Sequence, residues 1–580
     1  MTARSEGRGW VGYVVILVLL GLFIAIVRAA ALSDEDQSVG RAISIDTDVA
    51  GNAATTLGPR EDCVSIDAGE SVEIDITTAG LANSHPIAAY EYELVYPSGG
   101  LVVTAQNPNF ILVTNPFSSL SSRGETLPDA NGGDWRSEVR DIGGSVPEIG
   151  SGVLERLTLK ASESVPEGVY ALTLNASGFT DARNKKRVPA AINGAVVAVG
   201  RACDDDAGYR DFTFSPASAP TAEKPQSKLW FNDGVWWAVM FQSNGERFNI
   251  FRLDATTQTW LDTGALVDTQ NAAEVDVLSD GRRLYIAAAV AQVTRSIDGP
   301  RLLRYSYDAE GGRYALDPGY PVTIASGGVE AIVLAKDSAD KLWVTYTRDN
   351  SVHVSHTTTD DRTWLTPYVL PLPQAADIDA DDISTIVAFE SRIGVMWSDQ
   401  EAQATYFATH SDGSPESDWD VSTVLNSPKS ADDHLNLKAL DDDPAGEVFV
   451  VLKTSTTRPD AELIRLLALQ EDGKWASHTV GLVSDNHTRP IVVIDTSNRI
   501  LHVFMSSPCC TGGTIYHKQT SLDRISFEPG LGEPFLADAV DKCINNPTST
   551  KQSVTSGTDL VVLAGTVCTG RYLHNTLNVP

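Results

Sequence analysis

The sequence is poor in the residue patterns that common metal and nucleic-acid sites require. Its six cysteines in 580 residues form no C-x-x-C pair, and histidines show no zinc-type spacing, so no metal ligand set is predicted. Basic residues are also scarce: 44 Lys and Arg face 76 Asp and Glu, giving a net charge of −32. Because such a field repels a phosphate backbone and no local basic cluster offsets it, nucleic acid is not expected as a partner.

A calcium-binding loop of the type D-x-N-x-D-G is absent as well. The acidity is therefore explained most simply by solubility, and no cofactor is predicted, with a structural Ca²⁺ on the acidic surface as the alternative. Hydrophobic residues make up 42% of the chain and charged residues 21%. This balance is typical of globular domains, and the length predicts two or three of them.

One long apolar run is present, at residues 10–27 (WVGYVVILVLLGLFIAIV). Its 18 uncharged residues are enough to cross a bilayer as a helix. Because Arg4 and Arg8 precede it and acidic residues follow, the pattern predicts a cytoplasmic N-terminus at 1–9 and a transmembrane anchor at 10–32.

The alternative for this run is a cleaved signal peptide. Ala29–Ala31 supplies the small residues of a cleavage site, whereas Arg28 beside them favours the anchor. Both alternatives export the rest of the chain. We therefore expect a single-pass protein of the cell membrane with an extracytoplasmic bulk, or a secreted one if the leader is cleaved.

The cysteines predict disulfides, since an even number follows the leader and exported proteins oxidise their thiols. Cys63 and Cys203 lie at the two ends of one predicted domain, so a bridge between them would join its first and last strands. The other four permit three pairings. Cys543–Cys568 is favoured, which leaves Cys509 and Cys510 paired with each other or otherwise occupied.

Residues 40–203 show short alternating strands separated by turns and almost no helical periodicity. In 168–177 (GVYALTLNAS), for example, Tyr170, Leu172 and Leu174 fall on one face. This spacing predicts an antiparallel β-sandwich. The candidate strands are 71–77, 88–96, 100–106, 153–161, 168–177 and 194–200.

Two of these stretches, Ser151–Ala161 and Glu167–Ser177, carry a strand pattern that resembles cohesin-type and related carbohydrate-binding sandwiches. The resemblance implies a binding or adhesion module in which one sheet face docks a dockerin-like partner or a glycan. A plain stalk that holds the rest of the chain away from the membrane is the alternative. Because the chain has no dockerin-type loop, docking to itself is not expected.

Residues 209–580 contain a repeat of about fifty residues. Each unit has a strongly apolar strand with an inner strand before it and a third strand after it, and most units add an outer strand. Seven units of four strands predict a seven-bladed β-propeller, with six blades as the alternative. Residues 209–216 would supply the fourth strand of the last blade. The apolar strands are 233–241, 282–290, 341–348, 392–399, 447–454, 499–507 and 559–567.

Three turns, 253–260 (LDATTQTW), 357–364 (TTTDDRTW) and 471–475 (EDGKW), resemble degenerate Asp-boxes of sialidase-like, BNR-type propellers. The resemblance implies a propeller in which these turns are structural. A sialidase would also need three arginines on a substrate carboxylate, a Tyr–Glu nucleophile pair and an acid/base Asp. No such set can be identified, so no catalytic residue is predicted and an enzyme, if present, would be a glycosidase.

In a propeller, the loops that enter the inner strands gather around one mouth of the central channel. We therefore predict a ligand site there, with capping of strand ends as the alternative role of these side chains. The predicted ligand-binding residues are Glu330, Asp382, His434, Asn436, Lys438, His487, Arg489 and Lys551, with Glu274, Asp276, Lys518, Asn545, Asn546 and His574 nearby.

Two further expectations concern the same region. No metal site is predicted, with a metal ion shared by Asp432–His434 and Asp485–His487 as a minor alternative, and the tryptophans Trp230, Trp236, Trp237 and Trp343 are expected in the core. The sequence as a whole predicts a membrane-anchored recognition or adhesion protein that binds carbohydrate or a cell-surface protein. A sialidase-like glycoside hydrolase and a structural cell-surface scaffold are the alternatives.

Overall fold

The computed structural model describes residues 41–580 except 84–85, 130–131, 144–146, 204–205, 223–224, 292–298, 441–446 and 509–511. This part of the chain is all-β, with 41 strands and short 3₁₀ turns at Ile111–Val113, Ser243–Gly245, Pro373–Ala375 and Val483–Asp485. None of its helices has the length and apolarity to cross a membrane. The predicted anchor at 10–32 and the pair Cys509 and Cys510 lie outside the described residues.

The first twelve strands form two sheets. The first has the order β11-β1-β3-β8-β5 and consists of β1 (Ala42–Asp46), β3 (Ser71–Leu81), β5 (Leu101–Asn107), β8 (Gly150–Ala161) and β11 (Ala191–Asn193). The second has the order β2-β12-β9-β4-β7-β6, with β10 beside β9. It consists of β2 (Cys63–Ile66), β4 (Ala89–Val95), β6 (Leu120–Gly124), β7 (Asp134–Asp141), β9 (Gly168–Thr180), β10 (Lys186–Arg187) and β12 (Ala195–Val199).

Alternating side chains pack these two sheets face to face. Leu157 and Leu159 of β8 join Leu172 and Leu174 of β9 in one buried apolar cluster, as the period of two requires. The predicted β-sandwich is confirmed, and all six predicted strands are present within three residues of their expected starts. The disulfide Cys63–Cys203 links β2 to the segment after β12, as expected.

The remaining strands form seven antiparallel sheets. The first three are β14 to β17 (Leu229–Asn232, Val235–Gln242, Arg247–Asp254, Thr259–Asp268), β18 to β22 (Glu274–Ser279, Arg283–Ala289, Arg301–Asp308, Arg313–Leu316, Val322–Thr323) and β23 to β26 (Glu330–Lys336, Leu342–Arg348, Ser351–His356, Tyr368–Val369).

The next three sheets are β27 to β30 (Ser384–Phe389, Arg392–Asp399, Ala404–Ser411, Asp420–Asn426), β31 to β34 (Leu435–Ala439, Val448–Lys453, Glu462–Leu469, Trp475–Leu482) and β35 to β38 (Thr488–Asp495, Ile500–Ser507, Thr514–Ser521, Glu533–Leu536). The seventh sheet joins β39 to β41 (Ile544–Thr548, Leu560–Thr566, Arg571–Leu577) to β13 (Tyr209–Thr213).

The first strands of the seven sheets contact one another in chain order. β14 contacts β18, β18 contacts β23, and this continues in chain order through β27, β31, β35 and β39. Apolar second strands such as VWWAVMFQ of β15 lie buried between neighbouring sheets. The four tryptophans expected in the core are buried, at 1% (Trp230), 6% (Trp236), 0% (Trp237) and 2% (Trp343) exposure.

The seventh sheet is composed of both ends of this region. β13 pairs with β41, so the prediction that 209–216 completes the last unit is confirmed. Thr550, just beyond β39, forms a parallel bridge with Leu229 of the first sheet, and Val554 forms one with Asp495 of the sixth. Residues 549–554 therefore touch both the first and the sixth sheet. The expected disulfide Cys543–Cys568 lies within this sheet.

The three Asp-box-like turns connect third strands to fourth strands. In each, the Asp carboxylate accepts backbone N–H bonds from residues two or three positions ahead, as with Asp254 and the amides of Thr256 and Thr257. Asp360 and Asp472 do the same for Arg362 and Lys474. Their role in this structure is to hold the hairpin turns.

Candidate functional site

Most of the predicted ligand residues lie close to where their strands begin and are buried with internal partners. Two do not fit the expected position: Lys438 lies near the end of β31, and Lys551 follows the end of β39. His434 is 6% exposed and its Nδ1 contacts the carboxylates of both Asp432 and Asp433. Its Nε2 lies 3.4 Å from the Thr488 hydroxyl of the next sheet. Asn436 accepts a bond from the Val492 amide at 3.1 Å. Both side chains therefore join the fifth sheet to the sixth.

Asp382 and His487 are similarly engaged. The Asp382 carboxylate accepts bonds from the Ser398 hydroxyl (2.8 Å) and the Gln400 amide (3.1 Å), and burial raises its pKa. The His487 Nε2 lies 3.0 Å from the Leu531 carbonyl oxygen. Burial, reinforced by Lys518, lowers the pKa of His487 to about 4. Both groups are suited to holding loops in their observed form.

The other predicted residues are spread over the region. Glu330 borders a surface cleft of about 260 Å³ that also includes Arg348. Arg489 is half-buried beside His487. Glu274 accepts the Ala331 amide, Lys518 donates to the carbonyls of Val480 and Glu528, and His574 bonds to Asp211 and Gln258 in the interior. Asn545 and Asn546 are buried, each with an Oδ1 that lacks a protein partner.

Three of the first strands contain a β-bulge after their first or second residue. The register shifts between Glu330 and Val333, between Thr488 and Ile491, and between Asn545 and Thr548. A non-glycine residue inside each bulge has positive φ: Ala331 (50°), Arg489 (52°) and Asn546 (57°). Positive φ costs energy in a non-glycine residue, so it persists only where the surrounding structure holds it. A bulge also changes the direction in which nearby polar groups point.

The segment 225–228 crosses the centre at this end. The Gln226 side-chain amide donates to the backbone carbonyl of Ile332 in the third sheet at 2.9 Å. The Ser227 backbone N–H donates to the Asp276 carboxylate in the second sheet at the same distance. Lys438 of the fifth sheet donates to the Ser227 hydroxyl at 3.1 Å. Gln226, Ser227 and Lys228 are at most 2% exposed. No local sequence signal marked this segment, because its partners are 50 to 210 residues away.

A cavity of about 160 Å³ lies at the centre, next to this segment. Its lining comes from the first, second, third, fourth, fifth and seventh sheets. The lining residues Ser279, Lys336 and Ala388, near the ends of their strands, are half-buried, whereas Pro225 and Leu229 are buried. The cavity therefore opens where the first strands end, away from segment 225–228. Of the predicted residues, Lys438 and Lys551 line it.

One group of possible metal ligands contains predicted residues. The carboxylate and ring atoms of Asp432, Asp433 and His434 lie within 4.8 Å of one another, and His487 is not part of this group. The Lys453 ammonium binds Asp432 at 2.7 Å and supplies a positive charge at this position. The arrangement is accounted for as an ionic cluster, and the hypothesis of a metal shared with Asp485–His487 finds no such grouping among the described residues.

A second surface feature lies on the sandwich, where β4, β6 and β7 form a groove of about 600 Å³. Its outward side chains alternate with the buried Tyr92, Trp135 and Val139. Charged and apolar residues alternate in β4 and β7, and this pattern indicates one charged face. It was not predicted to be a binding site. The charged residues that line it are Glu91, Glu93, Arg123, Glu125, Arg136 and Glu138.

Charged side chains of β4 face charged side chains of β7 in the groove. Glu91 of β4 lies directly opposite Glu138 of β7, while Glu93 lies opposite Arg136 and is ion-paired with it. Lys186 binds Glu91 at 2.7 Å. Desolvation, reinforced by Asp134 and Asp129, raises the pKa of Glu125.

No protein-family model matches the chain, and no curated protein does. Solved cohesin domains match about a quarter of it. The sixth cohesin of scaffoldin B from Acetivibrio cellulolyticus, in complex with a Cel5 dockerin, is 19% identical and covers 28% of this chain and 99% of its own, with a TM-score of 0.22.

Two other solved structures give the same result. The cohesin CaCohA2 from Clostridium acetobutylicum is 16% identical over 28% of this chain and 92% of its own, with a TM-score of 0.21. The OlpC cohesin–dockerin complex from Clostridium thermocellum is 16% identical and covers 28% of this chain and 95% of its own, with a TM-score of 0.22. TM-scores this low carry no argument about function. The assignment of a β-sandwich depends only on the two packed sheets described above.

Proposed function

We propose that the chain is a membrane-tethered recognition protein outside the cytoplasm. In this proposal the sandwich binds a partner protein through its charged groove. The seven sheets form a closed seven-bladed β-propeller that supports the sandwich, and residues 10–32 hold the chain at the membrane.

Three observations support a closed ring. The first strands contact one another in chain order, the last sheet contains strands from both ends of the region, and residues 549–554 bridge to the first and the sixth sheets. A ring leaves no terminal sheet with an open face or edge, which would otherwise invite aggregation. The repeat of about fifty residues and the Asp-box-like turns agree with a propeller of the sialidase-like type.

Export is supported by covalent chemistry. Cys63–Cys203 and Cys543–Cys568 are disulfide-bonded, and structural disulfides persist in oxidising compartments. The single long apolar run at 10–27, with arginines before it, supports a helix that leaves the bulk of the chain outside.

The observation that carries the recognition role is the facing pair Glu91 and Glu138. Like charges directly opposite each other on a sheet are destabilising, so a solvated face would ordinarily avoid them. Such local conflicts are expected at functional positions, where a ligand resolves them. Lys186 already binds Glu91 at 2.7 Å, so the partner would place a lysine or arginine beside Glu138, the exposed carboxylate of the pair. The proposed partner is therefore a protein with a basic contact surface.

The experiment uses the full chain in detergent, immobilised and tested against purified dockerin modules, an array of basic peptides and a glycan array. We expect saturable binding to a polypeptide that weakens with salt. Glu138→Gln should weaken it about two- to fivefold, because Glu138 is exposed and ion pairs of exposed side chains contribute little to affinity.

Glu73→Gln is the matched control, since Glu73 is an exposed carboxylate on the other sheet of the sandwich. It should leave binding unchanged. Binding to glycans alone, turnover of fluorogenic glycosides, or equal binding by Glu138→Gln and the unaltered chain would each contradict the proposal.

A further inference from the structure

One end of the sandwich, which we call the proximal end, is where the described chain begins. Arg41 lies just before β1, and its carbonyl oxygen accepts the backbone N–H of Ala190 at 2.7 Å. β1 pairs antiparallel with β3, and β3 with β8, so β3 ends and β8 begins at this end. A bridge between Ile87 and Glu148 joins the start of β4 to the start of β8. Because β7 and β9 pair antiparallel with β4, both strands end there as well.

Three connecting segments lie side by side at the proximal end. The Ile142 backbone N–H donates to the Ser119 carbonyl oxygen at 2.8 Å, which joins the segment before β6 to the one after β7. The Arg140 guanidinium at the end of β7 donates to the Asn184 side-chain oxygen at 2.8 Å, which joins β7 to the turn after β9. The described residues of the three segments are 108–119, 142–143 with 147–149, and 181–190.

Large apolar side chains are exposed in all three segments. Phe117 is 77% exposed and Ile142 is 62% exposed, while Ile149 and Val188 are 45% and 44% exposed. In the described part of the sandwich, Leu127 is the only other exposed large apolar residue, and it lies between β6 and β7 at the opposite end. Single apolar residues scattered over a surface need no explanation, whereas a group of them at one end marks an interaction site.

The proximal end is also basic, in a chain whose net charge is −32. The three segments together contain four basic and two acidic residues, and all four basic residues belong to 181–190. Two of them are held in ion pairs, one with Asp181 and one with Glu91 of β4. The other two, Arg183 and Lys185, are exposed and form no ion pair with a described residue. They are available to an anionic partner.

The chain that leads to Arg41 indicates what this end faces. The inference rests on the proposed function, in which residues 10–32 span the membrane. Eight residues, 33–40, separate that span from Arg41. Because eight residues reach at most about 27 Å when fully extended, the proximal end lies within that distance of the bilayer. Surfaces that combine apolar side chains with Lys and Arg bind at the headgroup boundary of anionic membranes.

We propose that the proximal end of the sandwich docks on the membrane surface. Phe117 and Ile142 insert at the boundary between headgroups and acyl chains, and Arg183 and Lys185 bind anionic headgroups. A second copy of the chain would bring another basic segment to this contact, whereas lipid phosphates supply the opposite charge. The strands of the sandwich then point away from the bilayer, so the charged groove on β4, β6 and β7 stays open to a partner protein.

The test measures the depth of a nitroxide on the full chain in vesicles of equal parts phosphatidylcholine and phosphatidylglycerol. p-Acetylphenylalanine in place of Phe117, which is mostly exposed, carries the label without a new cysteine. The same label in place of Leu127, at the opposite end, is the matched control. With a nickel chelate on both sides of the bilayer, we expect collisions of the chelate to be several-fold rarer at 117 than at 127, and collisions of oxygen to be more frequent.

The outcomes separate this proposal from the tether. A label at 117 that is as accessible to the chelate as the label at 127, in chains that float with the vesicles, would overturn the docking and leave the tether standing. Chains that do not float with the vesicles would overturn both. Dipolar broadening between labels at 117 would identify a second copy of the chain as the occupant and overturn the assignment to lipid.

Arg183→Gln with Lys185→Gln tests the headgroup contact. On the mixed lipid it should lower the ratio of inserted to water-exposed label about tenfold or more, because each basic side chain near an anionic surface contributes about fivefold. On phosphatidylcholine alone it should change nothing. Arg458→Gln with Lys474→Gln, on exposed turns outside the sandwich, is the matched control and should leave both ratios unchanged. Equal ratios for the first variant and the unaltered chain on the mixed lipid would overturn the assignment to anionic headgroups.

Discussion

The sixth sheet contains a buried pair of histidines. His502 Nδ1 and His517 Nε2 share a hydrogen bond of 3.0 Å, and the His517 ring stacks on Phe504. Burial lowers the pKa of His502 to about 4. Burial, reinforced by the neighbouring His502, lowers that of His517 to about 3. A shared hydrogen bond of this kind needs one ring to donate and the other to accept, so both rings are neutral in the folded protein.

These histidines predict a loss of stability in mild acid. Below the unfolded value of about 6.5, the unfolded chain binds protons that the folded chain does not, so stability falls as the pH falls toward 4. In the double variant His502→Leu, His517→Phe, the slope of unfolding free energy against pH should decrease by up to about 2.7 kcal/mol per pH unit, for two protons. Denaturant titrations between pH 7 and 4.5 measure it.

Phe504→Leu is the control for this measurement, because it disturbs the same packing without removing a titrating group. It should lower the free energy of unfolding by a similar amount at every pH. If the double variant keeps the slope of the unaltered chain, the two rings are not the neutral pair described here.

At the scale of elements, the sandwich and the seven sheets meet through an ionic network. Arg210 of β13 pairs with Asp206, with Asp538 at 2.8 Å and with Asp62 of the sandwich at 3.4 Å. Arg60 donates to the carbonyl oxygens of Arg210 and Gly194. The Arg210 side chain is 6% exposed, so these charges depend on one another.

We expect Arg210→Met to destabilise the protein by about 3–5 kcal/mol, because breaking a buried pair leaves uncompensated carboxylates. Arg136→Met removes an ion pair with Glu93 in which the arginine side chain is 68% exposed, and it should have a much smaller effect. Thermal unfolding of both variants gives the comparison. Equal melting temperatures would show that the network does not hold the junction.

The repeated elements could be predicted because their signal is local. Second strands such as 447–454 and 499–507 are so apolar that they are expected to be buried between sheets. The strands that these residues form, β32 and β36, are buried. β6 and β7 were not predicted. The first is a polar edge strand (LSSRG) and the second (DWRSEVRD) is interrupted by charges, so neither resembles an ordinary buried strand.

At the scale of the whole molecule, the site was harder to predict than the fold. His434 and His487 are polar residues beside strand starts, and the sequence does not reveal whether such a side chain faces a ligand or a neighbouring loop. Their partners, Thr488 and Leu531, lie 54 and 44 residues away. The same holds for segment 225–228, whose side-chain and backbone partners belong to the second, third and fifth sheets.

The account depends most on the arrangement of the seven sheets in a ring. Leu229 of the first sheet and Thr550, just beyond β39 of the seventh, form an isolated parallel bridge. Neighbouring strands lie about 4.8 Å apart, which suits the Cα separation of a disulfide. The pair Leu229→Cys, Thr550→Cys therefore measures closure directly, by mass spectrometry of unreduced peptides.

The control pair is Leu229→Cys with Thr385→Cys, which places the second thiol on the fourth sheet. The account predicts an intramolecular disulfide joining positions 229 and 550 and none joining 229 and 385. Free thiols at both 229 and 550 in the folded, monomeric protein would contradict the ring and the central cavity with it.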